Sequence, residues 1–209
     1  MLEIDDNGIV TEYEKTIKKV TSVSNLINAI EAQKEYKTCL LPKKCILFRE
    51  KNRVKNFIIE EFPINRIIKY KNIYKFEETV WCSLPFLYWK FIVIDNSITE
   101  VFVRCSYKRI TSESDRVYIA PLLNLFDRGR NSMCFGNAVS VDVSLPIHKK
   151  IDQMLVKIWD SIWQHDLIPG FPEGFSEYNK LIEKWAEDKS SWASLKYIPS
   201  GTFGDFLSA

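Results

Sequence analysis

The sequence predicts an α+β domain with segregated layers, and three observations carry that reading. Apolar and aromatic runs with strand character are concentrated between residues 38 and 107. The second half changes period: Ile151, Met154, Leu155, Ile158, Trp159, Ile162 and Trp163 recur at helical spacing. Between them, residues 118–137 keep neither period although they are rich in apolar side chains. The expected order is an N-terminal helix, an antiparallel β-meander, an irregular cysteine-bearing segment and two C-terminal helices.

Each element has its own justification. Residues 1–20 are polar and weakly patterned and are expected to be an N-terminal extension, with residues 21–209 as the domain. From Thr21 a short helix is expected, with Ser24 as a cap and Leu26, Ile27 and Ile30 on one face. Residues 38–48 read as strand, broken near Pro42, and residues 54–60 and 64–70 as further strands around Pro63. The run Pro85 to Ile94 is the strongest strand. Asp95-Asn96 supplies a turn, and Glu100 to Tyr107 returns as the second arm of a hairpin. The amphipathic helix from Ile151 to Trp163 follows the irregular segment. Pro169, Gly170, Pro172 and Gly174 then interrupt the chain. A second helix is expected from Ser176 to about Lys189, with Tyr178, Leu181, Ile182 and Trp185 inward.

Composition removes several classes. The chain has 209 residues, 46% of them apolar and 13% aromatic, enough to build a core and to exclude wholesale disorder. A run of about 18 apolar residues is missing, so no transmembrane helix is expected. The acidic start, Met-Leu-Glu-Ile-Asp-Asp, precedes no apolar stretch, so no secretory signal is expected either. The formal net charge is +2, a balance that does not point to a dedicated nucleic-acid binder. The five cysteines, Cys39, Cys45, Cys82, Cys105 and Cys134, are odd in number and widely spaced, which fits free thiols in a reducing cytoplasm. With two histidines and no C-x-x-C pair, neither a metal site nor a cofactor is expected.

The candidate site lies in the irregular segment. Asp127-Arg-Gly129 signals a turn, and Cys134 follows between Met133 and Phe135. A cysteine on such a loop is a nucleophile if its thiolate is accessible, with Arg128 and Arg130 close in sequence. Asn124, ten residues earlier, has a side-chain amide suited to an oxyanion. The other reading of Cys134, a small buried apolar residue, stays open at this level. On a helical wheel His165 falls beside Ile158 on the apolar face. It is either a proton acceptor or orienting donor for the cysteine loop, or a core histidine bonded to a backbone carbonyl. His148 reads as a solvent-facing residue before the helix.

These residues resemble a family. Phe62-Pro63-Ile64-Asn65-Arg66, Ser83-Leu84-Pro85, Ala120-Pro121 through Asn124, Asp127-Arg128-Gly129 and Cys134-Phe135-Gly136 form separated pieces of one pattern. Trp159-Asp160-Ser161 with His165, and the tail Gly201 to Leu207, complete it. The pattern is similar to that of family D of the prokaryotic ubiquitin-conjugating-enzyme-like (UBC fold) proteins, the family of PRTRC system protein B. The likeness spans most of the chain from about residue 20, with a longer loop between Gly129 and Cys134 than the family pattern has. The resemblance implies a UBC-like fold and a cytoplasmic transferase. In that role Cys134 carries a ubiquitin-like modifier as a thioester and passes it to an amine. Asn124 is then the candidate oxyanion donor and His165 the accessory residue. It implies a ubiquitin-like modifier and an activating-enzyme-like protein as partners. The alternative is an inactive UBC-fold adaptor or a structural subunit of a plasmid- or phage-encoded assembly, the mobile genetic elements in which the family occurs.

Two surface features stand beside the site. Residues 43–75 hold ten Lys or Arg against three Glu, which reads first as the solvated outer face of strands, with an acidic partner or nucleic acid as the other reading. Of the six tryptophans, Trp81 and Trp192 fall in unpatterned stretches and are the candidates for a partner-facing position.

Overall fold

Proline placement organises the fold. The computed structural model describes residues 2–4, 9–13, 17–22, 40–71, 77–126, 132–134, 140–164 and 170–208. Strands β4 (Cys45–Lys51), β5 (Val54–Glu61), β6 (Ile64–Lys71), β7 (Glu77–Leu84), β8 (Phe86–Ile94) and β9 (Ser97–Ser106) follow one another with little between them. In β5 and β8, Glu61 lies opposite Leu87; in β6 and β7, Ile64 lies opposite Leu84. The register therefore carries straight through, and the four strands are one long antiparallel ribbon bent at Phe62-Pro63 and Pro85. Proline lacks the N–H that would continue a ladder, so the ribbon bends where the prolines fall. The result is a curled meander: β4, the two bent arms of the ribbon, and β9.

Two tight turns fix the ends. Asp95 and Asn96 both have positive φ (47° and 63°), the two-residue hairpin turn that the sequence predicts. Asn52 and Arg53 (51° and 67°) form a second such turn between β4 and β5. The short strands β10 (Arg116–Ile119), β11 (Leu125–Phe126) and β12 (Ser132–Met133) extend the sheet beyond β9, so part of the segment expected to be irregular is paired. Strand β14 (Pro199–Thr202) pairs with β10.

Helix α1 (Ile147–Asp160) buries Ile147, Ile151, Met154, Ile158 and Trp159. It stops before the predicted end. Ser161 is extended, and Ile162–Gln164 forms β13, which runs parallel to β6 with Ile162 opposite Lys69. Ile162 and Trp163 continue the helical spacing, yet β-branched and aromatic residues suit a strand equally well, and pairing with β6 decides. Helix α2 (Tyr178–Glu187) buries Tyr178, Leu181 and Trp185 as expected and packs on β7. A third helix, α3 (Phe203–Ser208), was not expected. Among the described residues no helix is long and apolar enough to cross a membrane.

The arm of the ribbon formed by β5 and β8 is covered on both faces. On one, Ile58, Tyr88, Phe102 and Val117 pack with Phe203 and Phe206 of α3. On the other, Trp89 meets Trp159 of α1 edge-on at 5.8 Å. Among the described residues, the architecture of Leu41–Ala209 is thus α+β with a mostly antiparallel curled sheet and three helices.

Residues Met1–Leu40 form a separate unit. It contains a three-stranded antiparallel sheet of β1 (Leu2–Ile4), β2 (Ile9–Tyr13) and β3 (Ile17–Ser22). Thr21 and Ser22, where a helix was expected to begin, belong to β3, whose Ile17, Val20 and Thr21 favour extended backbone. The remainder of that expected helix, including Ser24, Leu26, Ile27 and Ile30, lies outside the described residues.

Candidate functional site

The site is built where the short hairpin β11–β12 leaves the sheet. Ser132 pairs with Phe102 of β9, and Leu125 and Phe126 pair with Met133 and Ser132. One step beyond this ladder the backbone N–H of Cys134 donates to the carbonyl of Asn124 at 2.7 Å. The two residues singled out from the sequence are therefore cross-strand neighbours. The segment leading in is firmly seated, with Ala120, Leu122 and Leu123 buried. Asn124 then turns with φ of +58°, a left-handed conformation that asparagine tolerates better than most residues. Its carboxamide Nδ2 donates to the carbonyl of Ile162 at 3.2 Å and ties the cysteine hairpin to β13.

Cys134 and Cys45 are partly exposed, whereas Cys82 and Cys105 are fully buried. Burial pushes both of those thiols up from the usual cysteine range, which suppresses the nucleophilic thiolate. The Cys105 Sγ also donates to the Ile119 carbonyl at 3.3 Å. Cys45 donates its Sγ to the Leu47 carbonyl at 3.3 Å. Cys134 thus differs from the core thiols in both setting and access.

Asp127, Arg128, Gly129, Arg130, Phe135, Gly136 and His165 lie outside the described residues, as does Cys39. The helix on which the wheel placement of His165 rested ends at Asp160, and Ile162–Gln164 is a strand. His148 stands inside the first turn of α1 and is half-buried, rather than preceding the helix.

Two contributors escaped sequence reading. One is the Ile162 carbonyl, a backbone group with no side-chain signature. The other is a polar hub behind β13. Glu61, at the bend of the ribbon, accepts from Trp89 Nε1 at 2.7 Å and from Trp159 Nε1 at 3.1 Å. Its second oxygen accepts from Arg66 Nη2 at 2.8 Å, and the Arg66 guanidinium lies 4.3 Å from the centre of the Trp159 ring. This buried cluster fixes the end of α1, from which β13 and its carbonyl for Asn124 follow. The only available signal was the Phe62-Pro63 break flanked by Glu61 and Arg66.

Among the described residues no group of three or more His, Cys, Asp or Glu side chains gathers in a way that would hold a metal ion. Compared with protein-family models, curated proteins and solved structures, the chain matches none.

Proposed function

We propose that this chain is a UBC-fold protein that carries the acyl end of a ubiquitin-like modifier as a thioester on Cys134 and passes it to an amine. The observation that carries the proposal is the 2.7 Å hydrogen bond from Cys134 N–H to the Asn124 carbonyl, which holds the partly exposed Cys134 beside the last strands of the meander. The order of meander, cysteine segment and helices supports the same reading. In the first step the Cys134 thiolate attacks the donor thioester carbonyl, a new C–S bond forms and the donor thiol leaves. In the second the acceptor amine attacks, the Cys134 thiolate leaves and the amine proton passes to solvent or a base. Because the thioester is already activated, the reaction needs little acid–base machinery.

The test is alkylation of the native protein against pH, comparing wild type with Cys134→Ser. A single fast-reacting thiol that disappears in the variant is expected. Reaction at Cys134 only after denaturation overturns the proposal.

One observation favours the second reading, a UBC-fold adaptor without transfer activity. The Asn124 carboxamide nitrogen donates to the Ile162 carbonyl, which commits one of its two N–H bonds to anchoring the hairpin on β13 rather than to an oxyanion. An accessible Cys134 that never acquires a modifier from an activating enzyme is the outcome that separates the two.

A further inference from the structure

The sheet formed by β13, β6 and β7 has one covered face and one open face. On the covered side Tyr70 and Trp163 are fully buried, and Tyr70 meets Tyr178 of α2 at 5.4 Å. On the open side Ile67 stands directly opposite Trp81, and Ile162 stands beside Lys69, two residues from Ile67 on the same strand face. These three large apolar side chains are 55%, 39% and 39% exposed. Scattered exposed apolar residues need no explanation, but an Ile–Trp–Ile cluster on one pleated surface does.

The rim of the cluster is basic. Lys69 lies within it, and Lys189 places its ammonium 4.3 Å from the centre of the Trp81 ring. Neither lysine makes an ion pair among the described residues. The adjacent Asp188 is consumed in its own turn, accepting from the N–H and Oγ–H of Ser190. An apolar centre bordered by unpaired ammonium groups selects its complement. A second copy of this face would bring like charges together. A nucleobase would have to displace Lys189 from the ring of Trp81 and stack among aliphatic side chains.

We infer that this open face docks a protein partner whose contact surface sets apolar side chains among carboxylates. The face adjoins the cysteine hairpin through the Asn124–Ile162 hydrogen bond. It does not depend on the chemistry of Cys134, and a Cys134→Ser variant is expected to bind equally well.

The probe is a short synthetic peptide alternating leucine and aspartate, labelled for fluorescence anisotropy, with a leucine–lysine peptide and an oligothymidylate as comparators. The acidic peptide is expected to bind, more weakly as salt rises. Ile67→Ser, which loses the burial of one large apolar side chain, is expected to weaken it about tenfold. The double variant Lys69→Glu/Lys189→Glu is expected to reverse the preference toward the leucine–lysine peptide. All these positions are exposed, so circular dichroism and thermal midpoints are expected to stay at wild-type values. Equal binding of both peptides, or acidic-peptide affinity unchanged in Ile67→Ser, overturns the inference. Tighter binding of oligothymidylate overturns it in favour of nucleic acid. A wild-type dimer in sedimentation that Ile67→Ser dissolves overturns it in favour of a second copy.

Discussion

The indole of Trp159 donates to the buried carboxylate of Glu61 across 98 residues of sequence, at 3.1 Å, and the same carboxylate accepts from buried Trp89 and half-buried Arg66. The carboxylate faces three donors. A glutamine in its place offers one acceptor oxygen and turns an NH2 toward an N–H, while Arg66 loses its counter-charge. Glu61→Gln is expected to cost about 2–3 kcal/mol, since the Arg66 side chain is 26% exposed and water screens part of its lost counter-charge. Urea unfolding at neutral pH measures it. The double change Glu61→Gln/Arg66→Met is expected to recover part of the loss, since no unpaired charge remains and the glutamine Oε1 still accepts from an indole N–H.

The meander was legible because its strands carry dense apolar and aromatic runs, as in Phe86-Leu-Tyr-Trp-Lys-Phe-Ile-Val-Ile94. Strand β7 was not, because Glu77-Glu78-Thr79 opens it with polar residues and only pairing with β6 makes it a strand. The end of α1 was hidden for the opposite reason, since Ile162 and Trp163 satisfy the helical period and the strand alike. At the site, Asn124 and Cys134 were legible as residue types near a turn. Their ladder contact was not, because strands β11 and β12 have two residues each and show no period. A carbonyl such as that of Ile162 has no side-chain signature and takes its place only through the fold.

Lys90 is buried within the sheet and donates its Nζ to the carbonyls of Phe206 and Leu207, at 3.1 and 3.0 Å. A cation at a helix C-terminus satisfies carbonyls that the helix leaves open. Lys90→Met keeps the packing of the stem and deletes both bonds. Global stability is expected to change by less than about 1 kcal/mol, because removing a buried charge offsets the lost bonds. Amide exchange in α3 is expected to rise about tenfold, the equivalent of about 1.4 kcal/mol of local anchoring. Unchanged exchange would mean that Phe203 and Phe206 alone hold the helix.

Burial raises the folded-state values of Cys82 and Cys105. In the unfolded chain these thiols ionise near their ordinary value of about 8.5. Above that pH the unfolded state has released protons that the native state still holds, so stability falls as pH rises. Each thiol contributes a slope of up to about 1.4 kcal/mol per pH unit. Lys90, lowered by its burial, contributes with the opposite sign as pH rises toward the ordinary lysine value. The wild type is therefore compared with Cys82→Ala/Cys105→Ala in urea titrations between about pH 8 and 9.5, a window chosen around the thiol value. The double variant is expected to be less stable at pH 8 and to lose stability less steeply above it. Parallel slopes would show that the two thiols do not drive the alkaline loss.

Asn124 serves the cysteine loop in two ways, and two substitutions separate them. Its carbonyl accepts the Cys134 N–H, a backbone contact that any residue provides if it adopts the same φ of +58°. Its carboxamide donates to Ile162, a contact that both glycine and alanine remove. Glycine adopts positive φ without strain, whereas alanine pays about 1–2 kcal/mol there. If the backbone contact positions Cys134, Asn124→Gly alkylates at the wild-type rate within about twofold. In Asn124→Ala the strain favours local opening of the hairpin, and native alkylation of Cys134 rises by at least about fivefold, the factor that corresponds to about 1 kcal/mol. If instead the two variants react alike and both differ from wild type, the tether to Ile162 holds the thiol, and the conformation of residue 124 is secondary to its side chain.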